Sequence, residues 1–240
     1  MKERYTLDGL SHSREYTRAE LYGYLRNADD NLADSTFRWL LFSFLKAKLL
    51  FHVGFDRYSL DEPAIRSDYQ PVYSDKADRI IEFLRGRYPD VEFVVFESSL
   101  MNEFLNQLIA KNTIFVQTEK DLSSFVFSTL HNEFRSESMM YNPTREEYRK
   151  YWVEDSIVVS DLVTQAPKNS RNPYEICLEK MLVDMVSDKN ISRLYSRAEL
   201  PSVLAAVRQN YRLDEKKLLR YAGRRGCREE MYILLGTYNG

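Results

Sequence analysis

The sequence predicts a mixed α/β fold in two parts: a small helical module closed by a β-hairpin, then an α/β domain of about four strands with a helical C-terminus. Three observations carry this. The stretch "STFRWLLFSFLKAKLLFHVGFDRYSL", Ser35 to Leu60, sets an amphipathic helix directly before two short strand-like runs. No proline precedes Pro63, and Pro63 and Pro71 then fall among polar residues in "DEPAIRSDYQPVYSD", which reads as a linker. Beyond it strand-like and helix-like runs alternate, and after Asp188 only helical patterns follow, as expected of a sheet covered by helices. The parts so drawn are residues 1–62, a linker over 63–75, and residues 76–240.

In the first part, "TRAELYGYLRNA" opens with Thr17 and carries Glu20 three residues on, a capping-box signature. Leu21, Tyr24 and Leu25 form one apolar face. "DDNLAD" is too short for a full helix and holds a turn or a degenerate second helix. Asp34 or Ser35 then caps a second helix, in which Phe37, Leu40, Leu41, Phe44 and Leu45 repeat at the spacing of one buried stripe. Trp39 and Phe42 fall off that stripe, and burial over a wider arc is the expectation for them. "LLFHVG" and "RYSL" read as strands joined around Gly54-Phe55-Asp56, where a residue can take positive φ. Helix, turn, helix and hairpin in this order make a winged helix-turn-helix.

In the second part, "ADRIIEFLRGRY" is helical, "VEFVVFES" a buried strand and "LMNEFLNQLIAK" a helix. "NTIFVQTE" follows as a strand, "LSSFVFSTLHNEF" as a helix, "SMMYNP" as a short strand, and "TREEYRKYW" as a helix with its own box at Thr144 and Glu147. "DSIVVSDLV" is a strand and "NPYEICLEKMLVDMVSD" a helix with Ile176, Met181, Leu182, Met185 and Val186 at core spacing. Glu175 and Glu179 form a like-charge pair that slightly opposes this helix unless a base from the C-terminal region answers it. "AELPSVLAAVRQNY", "DEKKLLRYAGRRG" and "REEMYILLGTY" complete the helical end, with Gly223 and Gly226 at a helix end and a turn.

Composition narrows the function. Of 240 residues 44% are hydrophobic and 29% charged, ample for folded cores. Runs such as "WLLFSFL" are too short to cross a bilayer, and the N-terminus lacks a signal-peptide core, so a cytoplasmic protein is expected. Cys177 and Cys227, with His12, His52 and His131 scattered, give no metal-ligand spacing. No cofactor is implied, since glycine-rich nucleotide motifs are absent. "PDVEFVVFESS" invites comparison with a nuclease pattern using Asp90 and Glu97, but the Lys that would assist a metal-bound water is missing. The reading is no enzyme.

The net charge is −2, but it is unevenly spread: residues 1–60 sum to +1, 61–209 to −6 and 210–240 to +3. If the winged helix reads double-stranded DNA, the first turns of the second helix meet base edges and its flanks meet phosphate. Ser35, Thr36 and Arg38 are then the base-proximal residues. Lys46, His52 and Arg57 are phosphate or wing contacts, and Arg18 reaches the backbone from the first helix. The alternative is a solvated helix face in a winged helix that packs on a protein partner. "RLDEKKLLRYAGRRGCREE", with seven bases against four acids, could meet nucleic acid, an acidic partner or the acidic middle of its own chain.

"TRAELYGYL", the Ser35–Leu60 stretch, "LEKMLVDMV" and "LDEKKLLRYAGRRG" together resemble the antitoxin and transcriptional regulator family of the AbiE abortive-infection systems. The likeness spans most of the chain and rests on apolar and small residues. It implies a winged-helix repressor of its own operon, binding repeated operator sites, with a C-terminal domain that opposes a nucleotidyltransferase-like toxin. Only Ser35, Thr36, Arg38, Lys46 and Arg57 carry over as wing and recognition-helix positions. The unusually aromatic second helix and the modest basic charge depart from that pattern.

Overall fold

A computed structural model describes residues 5–54, 56–62 and 66–236. The protein is mixed α/β and divides into two compact units, one ending at Ser67 and the other beginning at Asp68.

The first unit contains α1 (Arg18–Arg26), α2 (Asp34–Lys46) and a two-stranded antiparallel ribbon of β1 (Phe51–Gly54) and β2 (Arg57–Ser59). Thr17 caps α1 through the reciprocal box with Glu20, satisfying backbone donors at both ends of the exchange. For α2 the expected cap is corrected. Its N-cap is Ala33, which offers no side-chain acceptor, and Asp34 is already the first helical residue. The stripe on α2 buries Phe37, Leu40, Leu41 and Phe44 against Leu21 and Leu25 of α1, with Leu45 half-buried beside them. Complete burial of a side chain such as Phe37 is worth roughly 1.5–3 kcal/mol. Positive φ in the ribbon turn is taken by Asp56, at 52°, whereas Phe55 lies outside the described residues. Tyr16 bridges β2 on its free side through two 2.8 Å backbone hydrogen bonds with Tyr58.

The second unit is built on a four-stranded sheet. Its strands are β3 (Phe93–Glu97), β4 (Thr113–Thr118), β5 (Met139–Tyr141) and β6 (Ser156–Asp161), in the order β3-β4-β6-β5. β3 runs antiparallel to β4, while β4, β6 and β5 are mutually parallel. Side chains alternate between two faces. Phe93, Val95, Ile114, Val116, Ile157 and Val159 pack on α3 (Asp75–Arg87) and α4 (Ser123–Glu133). Val94, Phe96, Phe115 and Val158 pack on the opposite layer. That layer holds α6 (Leu178–Ser187), α7 (Leu200–Asn210), α8 (Glu215–Arg224) and α9 (Arg228–Gly236), with Tyr148 of α5 (Arg145–Tyr151) beside them. A sheet buried on both faces explains why its strands read as continuous apolar runs.

Three expectations need correction. "LMNEFLNQLIAK" does not form an α-helix: a 3₁₀ segment over Ser98–Glu103 gives way to a loop. Asn102 closes that loop by bonding both the N–H (2.7 Å) and the carbonyl (3.2 Å) of Ile109, so side-chain amide replaces the helical ladder. The helix expected from Asn172 starts only at Leu178, because the preceding residues pair with the edge strand, Val95 N–H donating to Tyr174 O at 2.8 Å. Finally, Tyr69 and Tyr73, read as linker, pack in the core of the second unit. The Tyr73 hydroxyl donates to Val95 O at 2.7 Å and accepts from Ile176 N–H at 2.9 Å. Pro63, the other half of the linker signal, lies outside the described residues. Among the described residues no helix is long and apolar enough to cross a membrane.

Candidate nucleic-acid interface

α2 is amphipathic in a strict sense, so burying Phe37, Leu40, Leu41 and Phe44 forces the opposite positions outward. Ser35, Trp39, Phe42 and Lys46, spaced i, i+4, i+7 and i+11, line that solvent face, with Thr36 and Arg38 on its flanks. Ser35, Thr36 and Lys46 are exposed as expected. So is His52 on β1, whose ring meets Tyr58 edge-on at 5.2 Å.

Charge on this face is organised by Asp34. Its carboxylate sits in the first turn, where the helix dipole favours a negative group. It pairs with Arg38 one turn on and with Arg18 of α1 at 3.3 Å. Arg18 also lies over the Phe37 ring at 5.5 Å, and its backbone N–H donates to Asp56 at 3.3 Å. Two of the candidate cations are thus held by one acid, while Lys46 and the adjacent Lys48 stand in solvent. Lys48, at φ 56° just past the helix, was missed by periodicity because it lies beyond the stripe.

Arg57 does not belong to this face. Its side chain is 6% exposed and its guanidinium lies 3.4 Å from Glu15. Arg57 is thus buried beside Glu15, not displayed with the exposed residues of α2. Burial and the nearby Asp56 charge raise the Tyr58 pKa above the ordinary phenol value, so the ribbon offers a neutral hydroxyl. Trp39 and Phe42 depart from expectation in the other direction. They are 59% and 63% exposed, not buried over a wider arc. The signal was present in the sequence, since both fall opposite the apolar stripe.

The carboxylates of the nuclease-like pattern do not form a site. Asp90 is exposed in the turn before β3, whereas Glu97 is buried at the far end of that strand. The length of β3, Phe93–Glu97, lies between them and spans roughly 13 Å by itself. Glu97 accepts from Ser74 N–H, Ser74 Oγ–H and Asn112 Nδ2–H, each at 2.7 Å, and so anchors the start of α3. Among the described residues no group of three or more His, Cys, Asp or Glu could hold a metal ion.

The second unit also encloses a polar cluster that spacing alone did not reveal. Lys180 and Asp184, each 1% exposed, pair one turn apart on α6. Lys180 also donates to Gln117 of β4, and Asp184 accepts from the Tyr221 hydroxyl at 2.9 Å and meets Arg225 at 3.5 Å. Burial first, and the Asp184 charge second, push the Tyr221 pKa far above the phenol range, so it serves as a fixed hydrogen-bond donor.

The molecule is therefore a two-unit α/β protein in which a small helix-and-ribbon unit presents an aromatic and basic helix face. The chain belongs to a family of unknown function, DUF6577, which matches over residues 36–240, from within α2 through the second unit. No curated protein and no solved structure matches.

Proposed function

We propose that the protein is a non-enzymatic DNA-binding regulator whose first unit acts as a winged helix, α2 being the recognition helix and the β1–β2 ribbon the wing. The observation that carries this reading is the single solvent face of α2. It sets Ser35, Thr36 and Arg38 at the leading end, where base edges would be met, and Lys46 at the trailing end, where phosphate would be met. His52 on the ribbon is the adjoining wing contact. Arg38 reaches a base by exchanging its Asp34 partner. The resemblance to AbiE-type regulators supports a biological role: repression at operator repeats, paired with a nucleotidyltransferase-like toxin.

The test is a gel shift of the full chain on its own promoter, at two salt concentrations and against unrelated duplex. Specific binding that weakens with salt is the expected result, because phosphate contacts release counterions. Replacing Arg38 by Ala should cost about 1–3 kcal/mol and relax base preference, whereas Lys46→Ala should weaken all sequences alike. An equal loss on every sequence for Arg38 would remove its base-reading role.

The exposed aromatic pair favours a second reading, in which α2 is a protein interface. Leaving a side chain such as Phe42 in water forgoes roughly 1.5–3 kcal/mol of burial, and a partner would recover it. Absence of promoter binding at either salt selects this alternative.

A further inference from the structure

The charges of α8 are divided by face. Inward, Leu218, Leu219, Tyr221 and Ala222 are buried in the core. Its basic residues on that side are answered by acids of α6 and the turn after it: Lys217 meets Glu179 at 3.6 Å, and Arg225, just past the helix, meets Asp184 at 3.5 Å and Asp188 at 3.4 Å. The exposed positions of α8 are only Lys216, Arg220, Gly223 and Arg224. Lys216 and Arg220 have no ion-pair partner among the described residues, and Arg224 donates to the neutral amide of Gln165. The three cations fall at i, i+4 and i+8, a row with steps of about 6 Å along the helix.

On the inward side of α8, away from this row, a cleft of about 100 Å³ is lined by Lys168, Arg212 and Lys217 together with Asp68 and Glu179. Lys217 Nζ also donates to Lys168 O at 2.9 Å, which holds it on that inward side. The cations at the cleft are ion-paired, Lys168 with Glu92 at 3.2 Å, Arg212 with Asp68 at 3.3 Å and Lys217 with Glu179, so the cleft is close to charge-balanced. In a chain of net charge −2, the local excess of positive charge is therefore the outward row of α8 itself.

We propose that the outward face of α8, the row Lys216, Arg220 and Arg224, binds the phosphate backbone of a nucleic acid without reading its sequence. A straight row of evenly spaced cations matches a linear polyanion. Among the described residues the exposed positions of α8 carry only these cations and Gly223, with no aromatic or amide side chain of the helix itself to contact a base, so phosphate is the group recognised. A lipid surface does not fit, because an interfacial helix must insert its apolar face, and that of α8 is spent in the core. The proposal uses another unit and other residues than the winged-helix reading and does not rest on it.

The experiment is fluorescence anisotropy of the full chain with a labelled mixed-sequence duplex unrelated to the promoter, over a salt series. Three proteins are compared: wild type, Lys216→Gln/Arg220→Gln/Arg224→Gln, and Arg38→Gln/Lys46→Gln. The triple variant should keep its thermal melting and lose about 3 from the slope of log affinity against log salt. If the triple variant fails to fold, single Lys216→Gln and Arg220→Gln variants should each lower the slope by about 1. An unchanged slope, or no binding of the duplex by wild type at low salt, overturns the proposal. So does competition by polyglutamate as effective, charge for charge, as the duplex, which would assign the face to an acidic protein. Loss confined to the Arg38/Lys46 variant would support the winged helix alone, and loss confined to the triple variant would support α8 alone.

Discussion

Asp34 shows how one side chain can set the behaviour of a surface. It restrains Arg18 and Arg38 together, so Asp34→Asn frees two cations at the head of α2. Duplex affinity at low salt should rise several-fold, with a steeper salt dependence, and an anisotropy titration of the variant measures it. The buried pair on α6 gives the opposite lesson. Asp184→Asn leaves Lys180 charged, enclosed and without its carboxylate, and should destabilise the protein by about 3–5 kcal/mol in urea unfolding. Replacing Lys180 by Met and Asp184 by Leu together should cost less than the single change, because the Lys180 charge is not stranded, although the Tyr221 hydroxyl and the Gln117 amide lose their partners. Cys177 is a third case. Burial, reinforced by the charge of Glu179, pushes its thiol up to about 12, so it stays protonated and unreactive in the folded chain. Since the folded pKa is raised, its contribution to stability is fully present below the ordinary thiol value and is lost as pH climbs toward 12. Alkylation of Cys177 at neutral pH should therefore follow unfolding.

At the scale of elements, the two N-caps of the first unit contrast. α1 has its full box, and Thr17→Ala should cost about 1 kcal/mol in thermal denaturation. Glu20 is held below the ordinary carboxylate value chiefly by the Thr17 N–H, so the stability it adds is present above that value and is lost on acidification. α2 has only Ala33 at its cap, so Ala33→Ser should gain about 1 kcal/mol by supplying the missing acceptor. Legibility follows the same division. The caps at Thr17 and Thr144 could be read from spacing because donor and acceptor lie three residues apart. The loop after β3 could not: Leu100, Met101, Phe104 and Leu105 have helical spacing and are buried, yet Asn102 and Glu199 capture the backbone donors. Gly226, at φ 70°, sits in the turn after α8 as its position suggested, whereas Gly223, expected at the helix end, lies inside the helix.

For the whole molecule, the division at Ser67/Asp68 matters more than the prolines implied. A fragment beginning at Asp68 keeps Tyr69 against Phe104 and Tyr211, and Tyr73 on the backbone of β3. A fragment beginning at residue 76 loses both. It should melt lower, with a deficit of several kcal/mol since each large aromatic removed from a core costs about 3–5 kcal/mol. Circular dichroism melting of the two fragments makes the comparison. Charge segregation also belongs to this scale: the acids of α6 consume the inward bases of the C-terminal region and leave the outward ones to solvent.

Local spacing by itself determined the apolar stripe of α2, the reciprocal caps, the strands of the sheet and the alternation that makes the protein α/β. Each depends on residues a few positions apart, and hydrogen-bond period converts directly into a face. Only the tertiary structure decided that Arg57 is enclosed beside Glu15 and that Lys180 meets Gln117 and Asp184 in the core. Periodicity tells which face of an element is apolar. What covers that face, and which charge answers which, depends on chain segments far apart in sequence that folding brings together.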